Sequence, residues 1–375
     1  MTIIRKGLTK FVVFNVFFHA RTIQILIENV KNERDFCSTT YMTDYNVNIV
    51  MNRKLDYTGV APWFTWNLQS RRMPNDQVHF FVSKIAGHGA HSKVFELVAR
   101  DGRKLAGKVS DCQSDRKEDR RRAFEEVCKE AWFLKQLTDA NYEYSPCFHS
   151  FSWIYGLEPI IVMELMGPNL GTLVDNPDVS KLSNQSISVA IRNMLSALNG
   201  MHESNFCVQD RTFCAVRAED DSIVRVKLVD FGMTVGYNWT QLRECNFEAE
   251  EVKLGSHFCG TIPYIPRAGY VETHVAPLDD LESLFYQLMR MFGQQVEWVN
   301  ERCHESYRQK VAFWTKEYSM LQPDILNAWF VSIRDSARSS SKFYEHLVSM
   351  LRQEIHEFTK NHGTSSDIFT IKKVQ

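Results

Sequence analysis

Between residues 78 and 109 three short runs suited to strands, Val78–Ile85, Lys93–Ala99 and Lys104–Val109, are separated only by a Gly-rich loop and by Asp101-Gly102. Connections that short join antiparallel neighbours, because a parallel pair needs a crossover of a dozen or more residues. A β-meander is therefore predicted. From Asp115 to Arg122 the chain is dense in mixed charge. Phe124, Val127, Cys128, Ala131, Leu134 and Leu137 then recur at spacings of three and four, which is one face of a helix. Residues 158–165 read as a buried strand and 224–229 as another. Helices are predicted over 184–203, 279–292, 302–317, 323–334 and 342–359. The expected fold is α+β, a small β-rich lobe followed by a larger helical one, without internal repeats or low-complexity tracts.

The overall balance excludes several classes. With 44 Lys+Arg against 45 Asp+Glu the formal charge is −1, which lacks the electrostatic footprint of a nucleic-acid binder. No apolar run reaches the length of a spanning helix. Nine scattered cysteines contain no CxxC pair, so neither a zinc site nor a dithiol motif is indicated, and a reducing compartment follows. Arg5, Lys6 and Lys10 ahead of the apolar Phe11–Phe18 imitate a signal peptide. The core carries Asn15 and runs into Arg21 without a small-x-small cleavage site. We therefore expect a cytoplasmic or nuclear chain. Residues 1–75 end in a polar, Pro-containing linker and read as an N-terminal extension of unknown role.

Chemistry concentrates in three places. Ile85-Ala86-Gly87-His88-Gly89-Ala90-His91-Ser92-Lys93-Val94 matches G-x-G-x-x-G-x-V except that Ser92 takes the third glycine position. Glycines there let backbone amides approach phosphates without a Cβ in the way, although two glycines between strands are more often a simple turn. One strand later, Leu105-Ala106-Gly107-Lys108 places a lysine where a V-A-I-K element pairs nucleotide phosphates. Glu130 on the following helix is the first choice as its carboxylate partner, and Glu126 the second. Lys227-Leu228-Val229-Asp230-Phe231-Gly232 is a strand ending in D-F-G, where Asp230 offers the anionic oxygen that Mg²⁺ requires.

In this order the elements resemble those of a protein kinase, and three stretches resemble the casein kinase 1 group. Ile161 to Leu170 is similar to that group's gatekeeper and hinge, Gly260-Thr261-Ile262-Pro263-Tyr264 to its G-T-x-R-Y element, and Asp279-Asp280-Leu281-Glu282-Ser283-Leu284 to its D-D-L-E-S-L helix start. The resemblance covers 77–356, as an N-lobe of 77–165 and a C-lobe of 166–356, and leaves 357–375 as a tail. It implies ATP in an interlobe cleft, with Ile85, Gly87, Gly89, Val94, Ala106 and Lys108 around it. Met163 would be the gatekeeper, and backbone groups of Glu164 and Met166 would meet adenine. Asp230 would hold one Mg²⁺, and Asp210 would accept the substrate hydroxyl's proton. Asp280 is expected to cap its helix and, by the resemblance, to hold the backbone of the catalytic loop.

The catalytic loop departs from H-R-D-x-x-x-x-N. It reads Val208-Gln209-Asp210-Arg211-Thr212-Phe213-Cys214-Ala215. Ala215 stands where Asn holds a second Mg²⁺, and Thr212 where the family has a lysine facing the transferring phosphoryl. Phosphoryl transfer depends on positioning and charge stabilisation, so each loss is expected to cost roughly two to three orders of magnitude in rate. Pro263 replaces the arginine of G-T-x-R-Y, and Thr172 falls near an aspartate position beside the ribose. Three readings stand: a pseudokinase that binds ATP and a protein partner, an active Ser/Thr kinase working with a single metal, and a structural protein with His88 and His91 filling its nucleotide site.

Overall fold

A computed structural model describes residues 77–89, 91–99, 101–110, 116–154, 158–175, 182–209, 212–217, 223–244, 247, 261–271, 275–316 and 321–362, with the backbone of three short strands before them. The chain divides into two compact units, Met1–Ala140 with Cys147–Leu165, and Asn141–Pro146 with Met166–Gln375.

The first unit contains β1 (Asn48–Asn52), β2 (Tyr57–Thr58), β3 (Asn67–Leu68), β4 (Gln77–His88), β5 (Ser92–Ala99), β6 (Lys104–Ser110), α1 (Lys117–Asp139), β7 (Phe148–Ile154) and β8 (Glu158–Glu164). Six strands form one antiparallel sheet in the order β1-β4-β5-β6-β8-β7. The predicted meander is β4–β6. Two elements differ from expectation. β1, a strand the sequence did not predict, pairs with β4. β7 was not anticipated, because its mixed run Phe-His-Ser-Phe-Ser-Trp-Ile lacks a clean period of two.

Strand alternation gives the sheet two different faces. Phe80, Val82, Phe95, Leu97, Leu105, Val109, Ile160 and Val162 form an apolar cluster on one of them. Gly107 lies among these, and a Cβ there would come within 2.7 Å of Leu97 and 3.1 Å of Ile160. That glycine is a packing requirement. The cross-strand pairs Val94↔Lys108, Lys108↔Ile161 and Ala106↔Met163 define the other face, on which α1 rests.

The second unit holds α2 (Leu170–Asp175), α3 (Asn184–Glu203), β9 (Phe206–Cys207), β10 (Thr212–Arg217), β11 (Ile223–Val229), β12 (Val235–Gly236), α4 (Pro277–Met291), α5 (Cys303–Thr315), α6 (Asp324–Arg334) and α7 (Ser341–His362). Ser183 caps α3 by accepting the Ser186 amide at 3.1 Å. α7 runs to His362, three residues beyond the predicted helix 342–359, and Ile355 and Phe358 continue its buried stripe.

α4 is buried nearly all round, and its polar side chains therefore need partners. Asp279 accepts the Ala276 amide at 2.6 Å and pairs with Arg338 at 2.7 Å. Asp279, rather than Asp280, is thus the capping residue. Glu282 accepts the Arg267 amide at 2.8 Å, pairs with the Arg267 guanidinium at 3.2 Å, and takes the Tyr286 hydroxyl at 2.6 Å. The Ser283 hydroxyl donates to the Tyr264 carbonyl. Leu281 and Leu284 fill the core between them.

Lys310 on α5 completes this network. It is fully buried, and its Nζ donates to the carbonyls of Ile262 and Ile265 at 2.7 Å each and to the Tyr270 hydroxyl at 3.0 Å. The rings of Tyr286 and Trp298 lie beside the Nζ, 4.9 and 5.7 Å from it. Burial holds the Lys310 pKa well below the usual amine range, with Glu282 acting in the opposite sense. Between that lowered value and the ordinary lysine value the unfolded chain binds more protons, so this residue's contribution to stability rises with pH across the window. Lys310→Met is expected to lower stability by about 2 kcal/mol at neutral pH by orphaning two carbonyls, and to flatten the rise toward alkaline pH. Urea unfolding at neutral and alkaline pH measures both. Equal pH slopes in the two proteins would mean that Lys310 titrates as an ordinary lysine.

Candidate functional site

In the first unit the decisive contact joins β6 to α1. The Lys108 ammonium lies 2.6 Å from a Glu130 carboxylate oxygen, and the two residues are 5% and 2% exposed. Glu130 reaches it because it falls within the α1 stripe that carries Val127, Cys128, Ala131 and Leu134 into the unit. Burial pushes the neighbouring Cys128 thiol well up, which leaves it an inert packing group. Glu126, the second choice, is engaged elsewhere. Its carboxylate takes His91 at 2.8 Å and Arg122 at 3.1 Å. His91 of the Gly loop is thus drawn onto α1.

Ala106, Val94 and Met163 share the Lys108 face, Ala106 and Met163 being buried. Ile85 does not join them by register. It is paired with Phe95 and is 43% exposed. The loop glycines behave differently from Gly107. A Cβ at Gly87 would meet nothing closer than Val94 at 3.7 Å, and one at Gly89 nothing closer than 3.6 Å, and neither residue has a positive φ. A side chain at either position would meet only ordinary van der Waals contacts, so packing does not require a glycine there. The Glu164 amide is spent within the unit on the Cys147 carbonyl at 2.9 Å, and Met166 belongs to the second unit.

In the second unit the fully buried Asp280 carboxylate accepts the amides of Val208 at 2.8 Å and Gln209 at 3.2 Å, and His202 Nε2 lies 2.9 Å away. The resemblance implied such a hold on this stretch of backbone, and Asp280 provides it at Val208 and Gln209. Gln209 has φ 64° and Asp230 φ 68°. Such left-handed backbone costs on the order of 1–3 kcal/mol and collects at functional sites. Asp210, between Gln209 and β10, lies outside the described residues, as does Gly260. β11 delivers Asp230 at its end, followed by the fully buried Phe231.

β10 was expected to be loop. Thr212 pairs with Val229 and Ala215 with Val226 in an antiparallel ladder. Ala215 is fully buried and exchanges backbone hydrogen bonds with Pro168 and Gly167. Its methyl group offers no ligand atom, so of the two expected metal-holding positions the second unit retains Asp230. A single Mg²⁺ fits that donor set. His202, Cys207 and Asp280 bring ligand-type atoms within 4.8 Å of one another. Both His202 nitrogens are taken, by Asp280 and by the Tyr344 hydroxyl, and both Asp280 oxygens accept backbone amides or His202. The trio is therefore a hydrogen-bonded brace, not a metal centre.

No family model matches the chain. Over 146 residues, 38% of the chain, it is 26% identical to casein kinase I homolog 1 of Schizosaccharomyces pombe, and the match spans 32% of that relative's length. The fold is similar to that of vaccinia related kinase 3, with a TM-score of 0.55 and 17% identity, over 77% of this chain and 89% of that structure. The chain has the two-lobed α+β protein kinase fold, and its sequence likeness is to the casein kinase 1 group.

A buried ion pair loses hydration on both sides, and well-packed apolar replacements are often as stable or more so. Glu130→Ala, which strands the Lys108 charge, is expected to lower stability by about 3–5 kcal/mol. Lys108→Met with Glu130→Leu is expected to restore it to within about 1 kcal/mol of the original chain. Chemical denaturation of the variants tests this. A double variant as unstable as the single one would make the pair a structural necessity.

Proposed function

We propose that this kinase-fold chain binds ATP with a single Mg²⁺ and that its phosphotransfer is weak or lost, so that it acts as a pseudokinase through a protein partner. The observation that carries nucleotide binding is the buried Lys108–Glu130 pair at 2.6 Å. The fold has no evident need of such a pair, while a lysine aimed at phosphates does need its direction fixed. Gly87 and Gly89 supply a backbone that phosphates can approach, Ala106, Val94 and Met163 an apolar surface for the base, and Asp230 the carboxylate for Mg²⁺. When bound, the ion neutralises and orients the phosphates.

Weak turnover follows from Thr212 and Ala215. Thr212 cannot supply the positive charge, nor Ala215 the metal ligand, that the transferring group requires. The second reading is an active Ser/Thr kinase. It is favoured by the Asp280 support of Val208 and Gln209, which keeps the backbone ahead of Asp210 held. Asp210 is the proton acceptor in that reading, and Lys108 and Glu130 are the other residues assigned to catalysis. We place the chain in the cytoplasm or nucleus. The described cysteines 128, 147, 207, 214 and 303 are free thiols, and among the described residues no helix is long and apolar enough to cross a membrane. The near-neutral charge argues against nucleic acid as a partner.

MgATP at about ten times its dissociation constant is expected to stabilise the chain by about 1.4 kcal/mol, a rise of a few degrees in melting temperature. Lys108→Met/Glu130→Leu should keep the fold and lose the shift. Absence of any shift at millimolar nucleotide sinks the nucleotide-binding reading.

Labelled phosphate transfer from ATP to an acidic protein substrate, beside an Asp230→Asn control, separates the two readings. Signal equal to the control is expected. Thr212→Lys with Ala215→Asn should raise transfer by at least about tenfold. Background transfer by that variant, at an unchanged melting temperature, would mean that these two residues do not account for the loss.

A further inference from the structure

The groove between α3 and α7 collects positive charge for which the fold shows no use. Arg192 and Ser196 stand one turn apart on α3, and Arg352 and His356 one turn apart on α7. With Leu195 and Ile355 they line a cavity of about 310 Å³. Spacing of four puts each pair on a single helix face. Leu195 and Ile355 are buried and form the floor, while Arg192, Arg352 and His356 are exposed around it.

Carboxylates do not balance the two guanidinium charges. Arg192 donates to the neutral Thr359 hydroxyl at 3.3 Å, and among the described residues no carboxylate pairs with Arg192, Arg352 or His356. Glu203 is the one acidic residue of α3, and it takes the Asn199 amide at 2.6 Å. On α7, Glu354 and Glu357 project about 140–160° around the helix from Arg352, and Glu345 lies about two turns toward the N-terminus. Like charges gathered in this way repel unless an anion joins them.

The donor set selects the anion. Two guanidinium forks, an imidazole and a hydroxyl in one lining offer several hydrogen bonds to an anion. A phosphate monoester brings three acceptor oxygens and nearly two negative charges, where a carboxylate brings two oxygens and one charge. The volume is at the lower end of what small ligands occupy, so it suits a modified side chain with a neighbour on the Leu195–Ile355 floor. We propose that the α3–α7 groove docks a phosphorylated serine or threonine of a partner polypeptide. The site shares no residue with the proposed nucleotide site and does not depend on it.

The test uses the full chain and a short labelled peptide carrying one phosphoserine flanked by leucine, followed by fluorescence anisotropy. The unphosphorylated peptide and inorganic phosphate are the comparison arms. The phosphopeptide is expected to bind, the unphosphorylated peptide at least about tenfold more weakly, and inorganic phosphate to compete only at much higher concentration. Arg352→Gln, which removes a side chain that makes no hydrogen bond or ion pair among the described residues, should weaken binding by at least about tenfold. Arg192→Gln with Arg352→Gln should abolish it, with the melting temperature and any MgATP-induced shift unchanged. Equal binding of the two peptides, or undiminished binding by the double variant, overturns the proposal. Inorganic phosphate competing at the peptide's own concentration overturns it as well, by making the groove a site for free anions.

Discussion

The Asp280 carboxylate is the interaction on which the second unit turns. It sits at zero exposure on a helix buried nearly all round and holds two consecutive amides, those of Val208 and Gln209. An isolated charge at that depth would be far too costly, so its hydrogen bonds are a condition of the fold. They also determine the backbone immediately before Asp210, including the left-handed Gln209. The neighbouring acids of the same helix work outward in the same manner. Asp279 closes the helix start and anchors Arg338, and Glu282 anchors Arg267. The hexapeptide Asp279–Leu284 is therefore a set of directed bonds from one rigid helix to segments distant in sequence.

The first unit obeys a different logic. Its apolar face would hold the sheet together without charge, and Gly107 exists because Leu97 and Ile160 leave no room for a Cβ. The opposite face carries a buried ion pair, which contributes little to stability but fixes direction. Gly87 and Gly89 have space that packing does not use. Gly87 on β4, Gly89 in the loop after it and the ion-paired Lys108 on β6, each poorly explained by stability, belong to one three-stranded meander. That coincidence is stronger support for a ligand than any of the three alone.

Much of this was legible in the sequence because periodicity reports burial. The helices and the β4–β6 meander followed from apolar spacing, and Glu130 from its place on the buried stripe of α1. Where the sequence misled, local pattern and tertiary demand had parted. β10 looked like loop because Asp210 and its neighbours drew attention to a motif, although Phe213, Ala215 and Val216 are β-compatible and pair with β11. Asp279 and Asp280 are adjacent and chemically identical, and only their directions from the helix decide which one caps it. Lys310 carries no local signal at all. Its role comes from carbonyls of Ile262 and Ile265, which lie more than forty residues away. The same holds for the α3–α7 groove, whose cations come from segments about 160 residues apart.

Holding the catalytic loop and performing chemistry in it are separable demands. The first is met by Asp280 through backbone amides, which any residue at 208 or 209 provides, so Val208 and Gln209 satisfy it as well as other side chains would. The second requires particular side chains, and at 212 and 215 they are a hydroxyl and a methyl. Ala215 is buried and its backbone is bonded on both sides, to Gly167 and Pro168, so the strand holds this position through its backbone and not through what the side chain can ligate. A chain built this way holds the backbone of Val208 and Gln209 by forces that do not depend on phosphotransfer. That is the physical condition under which a kinase fold can serve recognition instead.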